Sequence, residues 1–504
     1  MQLKQLVNAL APLRVEGSLD RDVSGISYDS RRVTPGMVFV AIPGKKTDGH
    51  AYISTAIDRG ATAIICENNG FVSQRATKIK VADTRAALAW AAAAFYQHPS
   101  SKLRVIGVTG TNGKTTVAFM VKQILEAAGV NCGLIGTVRY EIGERVIPAQ
   151  RTTPEALEIQ QMMSQMLRAD CQACVIEVSS HALVQQRVCG VEFDVGVFTN
   201  LTQDHLDYHG TMEDYFAAKT KLFRALAEGR KKNGAVINID DAFGARLSRE
   251  TNLETQLSYG LVPAAKIRAT RVHLGPETTE MVIETPGEKI SCRLPLIGRH
   301  NVYNALAAVG AGLVLKVGAQ PIQSALNSLK PVPGRLETIA LGQPFGVFVD
   351  YAHTDDALRN VLNTLREITS GRLLLAFGCG GDRDSGKRPK MGAVAAELAD
   401  FTLITSDNPR RESPEKIAAS IDEGFRRVRS DGHRVELDRK RAIDGILRMA
   451  RTGDTVLIAG KGHETYQEFE DTVVPFDDRV YARETLEALG FRGPEASKGD
   501  GRHD

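Results

Sequence analysis

The residues GVTGTNGKTTV, Gly107 to Val117, combine what is needed to hold phosphate. They follow a short apolar strand, Leu103 to Val108, and open a helical run. A glycine-rich turn there aims backbone N–H groups at phosphate oxygens, and the new helix adds the positive end of its dipole. Lys114 would reach the outer phosphates, and Thr115 offers a hydroxyl to Mg²⁺. The spacing departs from the common phosphate loop, because five residues separate Gly107 from Gly113, with Gly110 among them. The expected ligand is a nucleoside triphosphate.

Other polar groups stand where apolar runs end. Glu177 closes the strand ACVIEV before Ser179, Ser180 and His181. A carboxylate at the carboxyl end of a strand, in the same sheet as the phosphate loop, is well placed to hold Mg²⁺. The cluster Asn200 to Asp207 follows the next strand. Lys219 and Lys221, on a helix starting near Glu213, read by themselves as solvated helix lysines. Further along, Asp350 to His353, Gly378 to Asp384, Asp407 to Arg410 and Gly460 to Glu464 each follow an apolar strand. Arg383 and Arg410 could grip a carboxylate through paired N–H bonds, and Asp407 and Glu464 an ammonium group. One edge carrying both signs suits a zwitterion such as an amino acid.

The elements that must position these groups follow from the hydrophobic pattern. From Leu103 onward, β-rich apolar runs alternate with helical ones, the pattern of a parallel sheet wrapped by helices with ligands at strand carboxyl ends. Between Ile267 and Leu296 alternating strands with turn signals read as a small antiparallel insert. A helix is expected from about Asn301 to Leu315, and KPVPG, Lys330 to Gly334, as a hinge. The fold class is therefore α/β in three parts. A small α/β unit spans 1–102, a mostly parallel central unit 103–333, and a Rossmann-like α/β unit 334–504. The tail from about 493, GPEASKGDGRHD, is short of apolar residues and is expected to be disordered.

Composition excludes several roles. A chain of 504 residues with 43% hydrophobic and 24% charged residues is ordinary for a soluble protein. A net charge of +3 is too small to argue for nucleic-acid or membrane-surface binding, and neither partner is expected. MQLKQLVNAL lacks the apolar core of a signal peptide, and no run approaches the ~20 residues that span a bilayer. Seven scattered cysteines suit the reducing cytoplasm. Cys171 and Cys174 form the sole CxxC, and without a second ligand pair they read as structural.

Ten motifs in order, TGTNGKTT, EVSSHAL, NLTQDHLDYHG, AAK at 217–219, GRHNVYNALAA, PGRLE, DYAHT, GCGGDRD, DNPR and GKGHE, resemble the Mur ligases of bacterial cell-wall synthesis over roughly residues 20 to 490. Within the family they resemble the branch that extends UDP-N-acetylmuramoyl-L-alanyl-D-glutamate by a third residue, and DNPR is the mark of meso-diaminopimelate rather than lysine. Two positions depart from the pattern: Asp355 stands where many relatives have proline, and His300 where this subgroup often has an aromatic residue.

The resemblance implies an ADP-forming ligase using ATP and Mg²⁺, a cytoplasmic monomer acting on small molecules. Gly110, Thr111, Asn112, Gly113, Lys114, Thr115 and Thr116 would cradle ATP, with Asn301, Arg335, Asp350 and His353 completing that site. Thr115, Glu177, His205 and Lys219 would hold Mg²⁺, Lys219 as a carbamate, which reverses the reading of it as a surface lysine. Lys114, Glu177, His205 and Lys219 form the catalytic set. Tyr28, Ser30 and Lys45 would hold the uridine diphosphate, and Thr152, Thr153, Ser179, Gln185 and Arg187 the muramoyl-dipeptide. Arg383, Asp407, Asn408, Pro409, Arg410, Gly460 and Glu464 would hold diaminopimelate. The alternatives left open are a lysine-adding ligase of the same step, another Mur ligase or a folylpolyglutamate synthetase, and a phosphate-loop switch protein. His205, His353 and bound water are equally open as the group that deprotonates the attacking amine.

Overall fold

The computed structural model describes residues 1–44, 47–68, 71, 73–275 and 277–492, so Lys45 and the tail expected to be disordered lie outside the described residues. Three sheets carry the chain. The first has five strands in the order Arg14–Glu16, Thr77–Lys80, Ala63–Cys66, Met37–Val40 and Gly25–Ser27, parallel except at the first pair. Its strands are short and, apart from the edge strand Arg14–Glu16, mostly buried, as in AIIC at 63–66, where every residue is enclosed.

The central sheet has eleven strands. Its parallel middle runs from Ile267–Leu274 through Thr255–Gly260, Gly234–Asn238, Val195–Phe198, Arg104–Thr109 and Ala173–Glu177 to Cys132–Ile135. These middle strands are mostly near-continuous apolar runs because helices cover both faces. Lys114–Ala127 and Arg299–Val314 pack on one face, where Val117, Val121, Ile124, Val302, Leu306 and Val309 share a core. On the other, Ala156–Arg168 and Met212–Ala227 contribute Ile159, Met163, Leu222 and Phe223. The segment expected as an insert is instead continuous with this sheet, since Thr279–Glu284 and Lys289–Leu294 add antiparallel strands at its edge. A second antiparallel pair, Arg139–Ile142 and Arg145–Pro148, closes the opposite edge.

Register puts the chemistry together. Val108 pairs with Glu177 on one side, and Thr109 with Phe198 on the other. The phosphate loop therefore emerges between Glu177 and the Thr199–Asn200 turn. In the third sheet, of six strands, Ala459 pairs with both Asp350 and Phe377, and Phe377 with Ile404. The loops after Asp350, Phe377, Ile404 and Ala459 consequently open on one edge, where doubly wound sheets bind ligands. A separate two-stranded hairpin, Tyr466–Phe469 with Thr472–Pro475, lies beside them. Among the described residues no helix is long and apolar enough to cross a membrane.

Candidate functional site

The phosphate loop has its shape because two of its residues lack side chains. Gly110 has φ +147°, and a Cβ there would lie 1.8 Å from Thr199 Oγ1; Gly113, φ +87°, would place one 2.4 Å from Asn304 Oδ1. The next turn straps the loop down: Thr111 N–H donates to the Asn200 carbonyl and Asn112 N–H to Asn200 Oδ1, both at 2.9 Å. Lys114 folds back, donating to the carbonyls of Gly110 (3.0 Å) and Thr111 (2.7 Å). Loss of water lowers its proton affinity, against the raising effect of Glu177 and Asp204.

Glu177 is completely buried and fully partnered. Its carboxylate accepts from Thr115 Oγ1 (2.9 Å), Thr137 N–H (2.8 Å) and Thr137 Oγ1 (2.9 Å). Lys219 is not a surface lysine. It is 1% exposed, donates to the Gly110 carbonyl at 2.7 Å, and sits 4.5 Å from the centre of the Tyr215 ring. Burial, then the charge of Lys114, push its proton affinity well below the usual lysine range. The two lysines thus meet at one carbonyl. His205 approaches from the other side, its Nε2 3.4 Å from Asp204 and its ring 6.2 Å from that of Tyr215. Its proton affinity is lowered, by burial first, against Asp204 and with the repulsion of Lys114. Among the described residues no three His, Cys, Asp or Glu side chains gather to hold a metal ion, and the CxxC cysteines are buried free thiols.

A cavity of about 400 Å³ opens beside the loop, lined by Asn112, Gly113, Thr115 and Thr116 together with Asn301, Arg335 and Asp350. Asn301 and Asn304 stand one turn apart on Arg299–Val314 and are joined by a 3.0 Å hydrogen bond. Arg335 donates to Thr115 Oγ1 at 3.2 Å and stacks on Tyr351, so the third unit touches the phosphate loop directly. Buried Asp350 accepts from the N–H groups of Leu336 and Ala352, both at 2.7 Å. His353 stays outside this cavity lining; its Nδ1 lies 2.9 Å from the Tyr351 carbonyl, and burial followed by Lys387 lowers its pKa to about 4. Asp355 starts the helix Asp355–Ile368 under a Thr354 cap, so the departure from proline leaves a normal helix start.

Thr152, Thr153, Ser179, Gln185 and Arg187 come together beneath Glu177. Thr153 Oγ1 donates to the Glu177 carbonyl (2.7 Å), and Arg187 to the Thr153 carbonyl (2.8 Å) and Gln185 Oε1 (2.6 Å). Thr137 Oγ1 reaches Thr152 Oγ1 at 3.1 Å, and Thr153 Oγ1 reaches Ser179 Oγ at 3.2 Å. Tyr28 crosses from the first unit to donate to Glu158 at 2.7 Å, while Ser30 lies in the short turn Ser30–Arg32, outside that network.

In the third unit Asn408 donates to Glu464 Oε2 at 2.8 Å, and Arg410 to Glu468 Oε2 (2.9 Å) and the Gly381 carbonyl (2.8 Å). Pro409 continues that turn, its carbonyl accepting from Glu412 N–H at 3.1 Å. Gly460, φ +109°, would set a Cβ 3.1 Å from Asp407 Oδ2. Arg383 is exposed and, among the described residues, bonds only locally, to the Asp382 carbonyl. Sequence reasoning passed over Lys461, which is fully buried and donates at 3.0 Å to both Asn408 Oδ1 and Glu464 Oε2, 3.5 Å from Asp407. The signal was charge balance: two carboxylates placed together need a cation, and GKGHE supplies one. Even so, burial and then Asp407 raise the proton affinity of Glu464. Also missed was Asp356, which reaches from the third unit to Asn112 Nδ2 (2.8 Å) and Thr202 Oγ1 (3.1 Å).

Known proteins carry the same organisation. Three family models match in succession: the Mur ligase family catalytic domain over 22–96, the Mur ligase middle domain over 108–312, and the Mur ligase glutamate ligase domain over 334–462. Two curated relatives bear the name UDP-N-acetylmuramoyl-L-alanyl-D-glutamate–2,6-diaminopimelate ligase. That of Syntrophomonas wolfei is 45% identical over 96% of this chain and 99% of its own, and that of Solibacter usitatus 46% over 93% and 94%. A solved structure of a ligase with that name superposes with a TM-score of 0.69 at 32% identity, covering 97% of this chain and 99% of its own. The chain belongs to the Mur ligase family.

Proposed function

We propose that the chain joins meso-diaminopimelate to the D-glutamate γ-carboxylate of UDP-N-acetylmuramoyl-L-alanyl-D-glutamate, converting ATP to ADP and phosphate. It would do so in the cytoplasm as a monomer. The observation that carries this reading is the likeness of the whole chain to ligases of that name at 45–46% identity. The third-unit edge supports it, because Arg410, Asp407 and Glu464 bring both signs into one loop cluster, where Lys461 already balances the two carboxylates.

A carboxylate resists amine attack because oxide is a poor leaving group. Transfer of the γ-phosphoryl group makes it an acyl phosphate, and the amine nitrogen then bonds to the carbonyl carbon as phosphate departs. Gly110 to Thr116 would hold the triphosphate, with Lys114 turning from the loop carbonyls toward the transferring group. Asn301, Arg335 and Asp350 line the adjoining cavity, suiting them to the nucleoside, with His353 at its margin. The oxygen donors Thr115 and Glu177 fit a hard cation, and Lys219 fits as an oxygen ligand only when carbamylated. Its buried, deprotonation-prone amine is the form that adds carbon dioxide. Bound Mg²⁺ would neutralise charge on the phosphates. Thr152, Thr153, Ser179, Gln185 and Arg187 lie next to Glu177, suiting them to the dipeptide whose carboxylate must meet the phosphate loop, with Tyr28 and Ser30 on the uridine side. The deprotonating group is His205, His353 or water.

The test is isotopic. With ¹⁸O in the γ-carboxylate, ATP, Mg²⁺ and bicarbonate, the released phosphate should carry one labelled oxygen and the product should gain one diaminopimelate residue. Product formed with unlabelled phosphate would overturn the acyl-phosphate route, and absence of product the ligase reading.

A further inference from the structure

One residue of the hairpin Tyr466–Phe469/Thr472–Pro475 addresses the 407–410 turn through three separate groups. The Glu468 N–H donates to Asn408 Oδ1 at 3.1 Å, its carbonyl accepts from Arg410 N–H at 3.0 Å, and its carboxylate accepts from Arg410 Nε at 2.9 Å. Arg410 needs such restraint. Its backbone is left-handed at φ +52°, a conformation that non-glycine residues adopt at a cost. The hairpin grips it again through Glu470 N–H, which donates to the Arg410 carbonyl at 2.6 Å. The guanidinium is then fixed at two corners, Nε by Glu468 and Nη1 by the Gly381 carbonyl at 2.8 Å. Among the described residues no hydrogen-bond acceptor meets Nη2.

We infer that Glu468 is a positioning residue for the added amino acid: its carboxylate holds Arg410 so that the Nη2 end stays free for the ligand's carboxylate. The inference rests on the reading of 407–410 as the amino-acid site. A guanidinium is a flat fork whose value lies in orientation, and a neighbouring carboxylate on Nε removes one of the two ways a ligand could seat against it. The same carboxylate balances the arginine's charge while the site awaits its ligand. The backbone links of residue 468 do not depend on its side chain, so a substitution isolates the ion pair. The Glu468 side chain is 33% exposed, so the fold tolerates its replacement.

The experiment is steady-state kinetics of Glu468→Ala and Glu468→Gln with each substrate varied in turn. Glu468→Ala should raise KM for diaminopimelate about 10-fold, the order of one charge-assisted hydrogen bond, with kcat and the other two KM values within about 2-fold. Glu468→Gln keeps an acceptor for Nε and should recover most of that loss. In an Arg410→Lys background, Glu468→Ala should add little, because the partner it orients is gone. An unchanged KM for diaminopimelate in Glu468→Ala, or a parallel rise in all three KM values, would overturn the inference. Failure of the unmodified enzyme to use diaminopimelate would overturn the underlying reading, and this inference with it.

Discussion

Among the described residues Lys219 makes one hydrogen bond where an ammonium ion wants three, and it does so 1% exposed with Lys114 on the same carbonyl. That environment favours an uncharged amine or a modified one. Lys219→Ala should lose activity by at least about 100-fold and recover part of it with a small added carboxylate; an intact-mass spectrum of fully active enzyme with Lys219 unmodified would contradict the carbamate. Lys114→Ala should abolish turnover while leaving affinity for the UDP-substrate, measured by calorimetry, within about 3-fold. Arg410→Lys keeps the charge and loses the fork, so KM for diaminopimelate should rise about 10-fold while that for ATP stays put. At this scale the sequence was most legible where the backbone dictates the residue type, as at Gly110 and Gly113. Lys219 was opaque from its spacing, since helical position does not tell which face a neighbouring helix covers. Asp356 was opaque because its partner Asn112 lies 244 residues away. Lys461, three residues from Glu464, was readable from charge balance only once Asp407 was known to lie beside them.

Elements matter here as holders of strand ends. Arg439 is fully buried with Asp478, bonded twice at 2.7 Å, and donates as well to the carbonyls of Ser406 and Ala459, the residues just before Asp407 and Gly460. Asp478→Ala leaves that cation unpaired in the interior and should cost about 3–5 kcal/mol, read as an earlier denaturant transition of the third unit. Alternation of apolar runs and helices made the parallel strands readable. Periodicity identifies a strand without naming its neighbour, which is why the 267–294 strands read as an insert although they extend the central sheet. The pair at 139–148 escaped for a related reason: Arg145–Pro148 is largely exposed and carries no buried stripe.

For the whole molecule, the proposed reaction needs the three sheets to present their sites to one another. Links already in place among the described residues include Tyr28 to Glu158 and Glu192 to Ser100 between the first and central units, and Arg335 to Thr115, Asp356 to Asn112 and Thr202, and Thr364 to His300 between the central and third. Tyr351 N–H holds the Gly334 carbonyl at 2.9 Å, anchoring one end of the 331–334 segment, our proposed hinge. An acyl phosphate survives only when water is excluded, so the proposed route would have the third unit close over the loop. Asp356→Ala should weaken that closure, raising KM for ATP about 5-fold with that for the UDP-substrate unchanged. The architecture was legible as three α/β parts, yet these cross-links were not, because each joins residues whose proximity depends on how whole sheets pack. The most direct measurement is phosphate release from ATP with UDP-N-acetylmuramoyl-L-alanyl-D-glutamate, Mg²⁺ and bicarbonate, adding meso-diaminopimelate or L-lysine in parallel. The account predicts turnover with diaminopimelate alone; turnover with lysine, or with neither, would contradict it.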